Sequence, residues 1–223
     1  MMNLELLTRA SELSGDPRFR EMAVTHAETT LKNHFRKDHS SYHVVSYDTL
    51  SGRPHLHITK QGYSDSSAWA RGQAWALYGF SMMYRETGEE RYLQQAELIA
   101  DFLLRHPRLP EDMVPYWDFD APDIPDAPRD ASAAAVMASA LVELSQASQD
   151  PEAARKYREA AQMQIRSLAA DTYLAAPGTN GGFILKHSVG SLPDNSEVDV
   201  PLTYADYYFL EAMLRYKAAY PED

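Results

Sequence analysis

The 223 residues are 44% hydrophobic, enough for one sizeable core and with no bias toward disorder. Without cysteine the chain can form no disulfide, thiolate metal site or cysteine nucleophile, and its formal charge of −11 opposes the clustered Lys and Arg that nucleic-acid binding needs. No stretch approaches the roughly eighteen apolar residues of a membrane span, and MMNLELLTRASELSG shows no signal peptide, so a cytoplasmic location is expected over a secreted one.

In chain order, a first helical stretch ends at the turn Ser14-Gly15-Asp16-Pro17. A one-sided helix follows, with Phe19, Met22, Ala23, His26, Ala27, Thr30 and Leu31 on its apolar face. The long polar connection 37–66 comes next, in which 40–48 and 55–60 can pair as a small β-hairpin. The stretch 68–84 is apolar nearly all round and therefore reads as a buried helix, with Ser66 or Ser67 as its cap. Thr87-Gly88-Glu89-Glu90 turns into another one-sided helix carrying Tyr92, Ala96, Ile99, Ala100 and Leu103.

The same pair of helix types then repeats. Connection 106–129 leads to a second all-apolar helix, 131–144, capped by Asp130 or Ser132. After Ser148-Gln149-Asp150-Pro151 comes a one-sided helix with Tyr157, Ala160, Ala161, Gln164, Ile165 and Leu168. Connection 172–201 precedes a last helix, 204–216, with only a narrow solvated stripe. Pro17 and Pro151 suit the first helical turn, and Gly15 and Gly88 the helix end before it. Buried and one-sided helices alternating in hairpins describe an all-α fold of two concentric layers in a single domain, 1–223, with about three hairpins plus a last inner helix. A closed ring needs more hairpins, so its open edge is expected to be covered by a second copy or by a preceding segment. All long connections fall at one end, where a site is to be sought.

The densest cluster of chemistry is QGYSDSSAWARGQAW, residues 61–75. Arg71 and Trp75 share a helix face, where a guanidinium fork and an aromatic plane suit a carboxylate-bearing sugar. The alternative is that Trp69 and Trp75 are core and that Arg71 pairs with Asp65 or Asp130. His43 stands in the loop ahead, between Tyr42 and Tyr47. Ser188 and Ser191 could donate to sugar hydroxyls, while Asp194, Glu197 and Asp199 read as loop and capping groups. The same reading covers Asp118 and Asp120, and Arg129 could bind Asp130 or a ligand. The eight histidines show no metal-binding spacing, and the glycines form no phosphate loop.

HFRKDHSSYHVVSYD, QGYSDSSAWARGQAWALYGF, PYWDFDAPDIPDAPRDASAAA and NSEVDVPLTYADYYFLEAMLRY, with the opening MMNLELLTRASELSGD, together resemble glycoside hydrolase family 88, the unsaturated glucuronyl hydrolases, along practically the whole chain. The resemblance implies part of an (α/α)6 toroid, its C-terminal portion, acting on oligosaccharides that carry a 4,5-unsaturated uronic acid; the related unsaturated rhamnogalacturonyl hydrolases are the alternative. In the family an aspartate protonates the C4=C5 vinyl ether and water adds at C5, without metal or other cofactor. It further implies a substrate-binding set of His43, Gln61, Trp69, Arg71, Trp75, Ser188 and Ser191. Two departures stand out: Lys60 replaces an expected His, and Leu192 and Pro193 follow Ser191 where some members carry a lysine. The family's aspartates match no residue here and are expected upstream of Met1. No catalytic residue is therefore assigned, and the chain alone is expected to be inactive. A non-catalytic carbohydrate-binding or structural remnant is the competing expectation.

Overall fold

A computed structural model describes residues 1–222. Among the described residues there are seven α-helices: α1 (Leu4–Ser14), α2 (Pro17–Asn33), α3 (Ala70–Thr87), α4 (Glu90–Arg105), α5 (Ala131–Ala147), α6 (Pro151–Leu168) and α7 (Thr203–Ala219). Two antiparallel hairpins stand in the connections: β1 (Val44–Tyr47) with β2 (Pro54–Ile58), and β3 (Ser188–Ser191) with β4 (Ser196–Val200).

The hairpin turns follow from their caps. Gly15 and Gly88 end α1 and α3 with φ of 71° and 70°, a conformation that costs other residues strain. Asp16 and Asp150 accept from the backbone N–H groups of Arg18 and Glu152, and proline opens each following helix. These turns pair α1 with α2, α3 with α4 and α5 with α6. Helices α3, α5 and α7 then pack side by side, with α1 against α3, as an inner layer behind α2, α4 and α6.

The small residues of α5 let neighbours approach closely, and Ala131 through Leu141 are all buried. Phe80, Tyr92, Ile99, Leu103, Met137 and Leu144 fill the space between the layers. The inner helices also share polar ties that their apolar composition conceals. Arg85 of α3 reaches Glu5 of α1 (2.6 Å) and Glu143 of α5 (2.8 Å), and Glu143 in turn holds Arg215 of α7 (2.6 Å). Glu211 of α7 accepts from Tyr78 (3.2 Å) and Ser139 (2.5 Å).

Two features differ from the sequence reading. In α7 only Ala205, Phe209 and Ala212 are buried, while Tyr207, Leu210 and Leu214 face solvent. Its apolar residues surround the helix, but this chain covers one side alone. The segment 188–200, read as loop, is a hairpin whose first strand is entirely buried. Its valines are interrupted by Ser188, Gly190, Ser191, Glu197 and Asp199, which dilutes the aromatic and β-branched signal of a strand.

Phe80 is fully buried between the layers, so Phe80→Ala is expected to lower unfolding free energy by about 3–5 kcal/mol. Urea denaturation followed by circular dichroism measures it; a loss under about 1 kcal/mol would mean that the layers do not close around this ring.

Candidate active site

Three long connections, 34–69, 106–130 and 169–202, meet at one end of the inner layer. Backbone bonds join them: Ala70 N–H to Trp117 O (3.1 Å), Phe119 N–H to Ala68 O (3.0 Å) and Ala131 N–H to His187 O (2.9 Å). Trp117 O receives the first N–H of α3, and the helix starts without a serine cap. Trp69 is its N-cap residue without a side-chain bond, and Ser67 instead donates to Asp118 (2.8 Å).

Arg71 lies at the centre of this junction and is 2% exposed. Its Nη1 pairs with Asp130 Oδ2 (2.7 Å) and also donates to Val189 O, and Nη2 donates to Gly190 O (2.7 Å). Asp130, fully buried, caps α5 by accepting from Ser132 N–H (3.1 Å) and Ser132 Oγ (2.5 Å). Of the two partners open from sequence, Asp130 is the one found. The guanidinium therefore joins α3, the start of α5 and β3, and its terminal nitrogens face protein acceptors. Arg129 turns away from this pair and binds Asp112 (3.0 Å) instead.

Beside the junction is a cavity of about 450 Å³, lined by His26, His34, Tyr42, His43, Gln61, Trp69 and Trp75 among others. The His43 ring stacks on Trp69 at 4.3 Å, and the Arg71 guanidinium lies 4.7 Å from the Trp69 ring. Nδ1 of His43 accepts from the N–H groups of Lys60 (3.1 Å) and Gln61 (3.2 Å), which leaves the proton on Nε2. Burial first, and then the Arg71 charge, lower the His43 pKa, so the ring is neutral. Gln61 Nε2 donates to Gly190 O (2.8 Å), tying the loop to β3. Trp75 is half-buried, edge-on to Tyr208 at 5.3 Å.

Four members of the expected set, His43, Gln61, Trp69 and Trp75, thus line one cavity. Arg71 backs it from beneath Trp69. Ser188 is fully buried with an unpartnered hydroxyl, and Ser191 donates to Asp194 (2.8 Å), which also holds Lys60 (2.8 Å); neither serine lines the cavity. Among the described residues no Asp or Glu lines it either, and no group of three metal-ligating side chains forms. A larger groove, about 730 Å³, runs between the outer helices α4 and α6 and is lined by charged side chains such as Asp101, Arg155 and Lys156. It lies away from the long connections.

Sequence reasoning missed Gln73, buried in α3, whose amide clasps Ser41 by accepting its N–H (2.6 Å) and donating to its carbonyl (3.2 Å). That clasp sets the loop bearing Tyr42 and His43. His26 and His34 were also overlooked; their signal, a spacing of two helical turns along α2, pointed to the helix face alone.

Two outcomes follow. Asp130→Ala leaves Arg71 buried without its counter-charge and is expected to cost about 3–5 kcal/mol in urea denaturation. The pKa of His34 is lowered from its ordinary value of 6.5 to about 4, chiefly by burial. The unfolded chain then binds the extra proton, so this contribution is lost as pH falls from 6.5 toward 4. Melting temperature should therefore decline less steeply over that window in His34→Gln than in wild type; equal slopes would remove His34 as a cause.

No family model matches the chain. It is 50% identical over 215 residues, 96% of its length and 53% of the relative's, to an unsaturated glucuronyl hydrolase of Formosa agariphila. An unsaturated chondroitin disaccharide hydrolase of Streptococcus pyogenes is 37% identical over 97% of this chain and 54% of its own. The crystal structure of an unsaturated glucuronyl hydrolase specific for heparin superposes with a TM-score of 0.96 and 53% identity, covering 100% of this chain and 59% of that one. The chain thus spans little more than half the length of the relatives it matches, and its hairpins form part of the α/α toroid of those enzymes. The identity along nearly all of its length places the chain in glycoside hydrolase family 88, that of the unsaturated glucuronyl hydrolases.

Proposed function

We propose that this chain supplies the sugar-binding wall of an enzyme that removes 4,5-unsaturated uronic acids from oligosaccharides of the glycosaminoglycan type. The observation that carries the reading is the cavity where His43, Gln61, Trp69 and Trp75 converge at the long-loop end, in a chain half identical to an unsaturated glucuronyl hydrolase. Trp75 offers an aromatic plane to a pyranose ring, and His43 offers a neutral Nε2–H donor held by loop N–H groups. Arg71 backs the Trp69 ring while paired with Asp130, and a direct grip on a sugar carboxylate would require exchange of its carbonyl partners. Ser188 and Ser191 act at the rim only if the β3–β4 hairpin moves.

In the reaction, a proton is delivered to C4 of the vinyl ether and water adds at C5. The resulting hemiketal opens, and the glycosidic bond is lost. The proton donor is an acid that the described lining of this cavity does not contain. That same lack favours a second reading, carbohydrate binding without turnover. We further infer that the exposed apolar residues of α7 and α1, Tyr207, Leu210, Leu214, Leu6 and Leu13, are covered by additional helices or by a second copy.

Titration calorimetry of the chain with an unsaturated chondroitin disaccharide should show binding, weakened about tenfold by Trp75→Ala. Absence of binding in wild type at millimolar sugar would sink the proposal. Loss of ultraviolet absorbance from the same sugar separates the two readings: turnover is expected only from a polypeptide that adds an acid to the cavity.

A further inference from the structure

We propose that Asp118 is a positioning residue that fixes the tautomer and orientation of His43 through the loop between them. Asp118 is fully buried, comes from the connection between α4 and α5, and touches neither the cavity nor His43. Its Oδ2 accepts from Tyr63 N–H (2.9 Å) and Ser67 Oγ (2.8 Å), and its Oδ1 from Asp120 N–H (2.9 Å). Tyr63 and Asp120 present backbone N–H donors to different oxygens, a pattern that an ionised carboxylate completes and a carboxamide cannot.

Two routes lead from these bonds to the imidazole. By the first, Tyr63 N–H anchors the peptide after Gly62, which has no room to shift: a Cβ on Gly62 would lie 2.5 Å from Thr59 Oγ1 and 3.1 Å from both Asp118 Oδ2 and Trp69 Cβ. Gly62 N–H donates to Thr59 Oγ1 (2.8 Å), which closes the turn that aims the Lys60 and Gln61 N–H groups at His43 Nδ1. By the second, Asp118 pairs as an antiparallel bridge with Trp69, the residue on which the His43 ring stacks. The turn dictates which nitrogen carries the proton, and the stacked ring dictates where that nitrogen points. Asp118 holds both.

Long-range proton–nitrogen spectra of the chain labelled with 15N-histidine, with His43 assigned by His43→Gln, read the tautomer directly. Wild type should show an unprotonated Nδ1 and a protonated Nε2 at His43. In Asp118→Asn one donor at the former carboxylate meets an NH2 group, so both His43 nitrogens should move toward averaged shifts while His26 keeps its wild-type pattern. A folded Asp118→Asn with the wild-type His43 pattern overturns the proposal, as does a wild-type His43 protonated at Nδ1. If Asp118→Asn does not fold, Ser67→Ala decides: it keeps the carboxylate and removes one donor, so a smaller shift of the same sense supports the proposal and an unchanged pattern overturns it. A second readout rests on the proposed function: affinity for the unsaturated disaccharide should fall about tenfold in Asp118→Asn. Failure of wild type to bind would count against that function, whereas the tautomer pattern is read without sugar.

Discussion

The buried pair of Arg71 and Asp130 joins the start of α3 to the connections 106–130 and 169–202. Neither charge reaches water, and an ion pair in that setting recovers its desolvation cost only when every remaining donor and acceptor is used. Here the use is nearly complete. Asp130 spends one oxygen on Arg71 and the other on the first turn of α5, while Arg71 spends its second terminal nitrogen on a strand carbonyl. A lysine could not replace this arrangement, because a single ammonium lacks the planar fork that reaches a carboxylate and two successive carbonyls together. The start of α3, the cap of α5 and the β3 backbone are consequently registered to one another.

That registration explains how a binding surface can be built from loops. Loops are ordinarily the mobile part of a helical ring, yet this cavity stands on groups tied at several independent points. Gln73 clasps the segment at Ser41, Arg36 reaches from that segment to the carbonyls of Asp65 (3.0 Å) and Ser67 (3.1 Å), and Gln61 holds β3. The exposed Lys60–Asp194 pair adds little by comparison, since solvent screens it. Buried neutral and ionic ties carry the geometry, and surface charges decorate it.

The helical framework was legible in the sequence because its signals are local. Glycine at a left-handed helix end, proline in a first turn and the 3.6-residue spacing of Tyr92, Ala96, Ile99 and Leu103 all act within a few residues, and each hairpin falls where they place it. The cluster around Trp69 and Trp75 was legible for the same reason. Whatever depends on distant partners was not. Ser67 carries the composition of a helix cap, yet its hydroxyl goes to Asp118, 51 residues away, and Trp69 stands at the N-cap instead. Arg71 was open to two partners until the fold brought one of them beneath it. In α7 the sequence shows an apolar surface but not which side of it this chain covers.

The same distinction bears on the proposed roles of the groups at this site. A pocket that protonates a carbon must present an acid whose pKa is tuned by its surroundings, whereas the groups gathered here are donors, aromatic planes and neutral imidazoles. The two buried carboxylates nearest the junction are already committed. Asp130 is neutralised by Arg71, and Asp118 is held by three donors even though burial raises its pKa. Drawing either into proton transfer would dismantle the loops that shape the cavity. Their burial fixes their role as supports, which leaves the proposed sugar contacts to the groups that open onto the cavity.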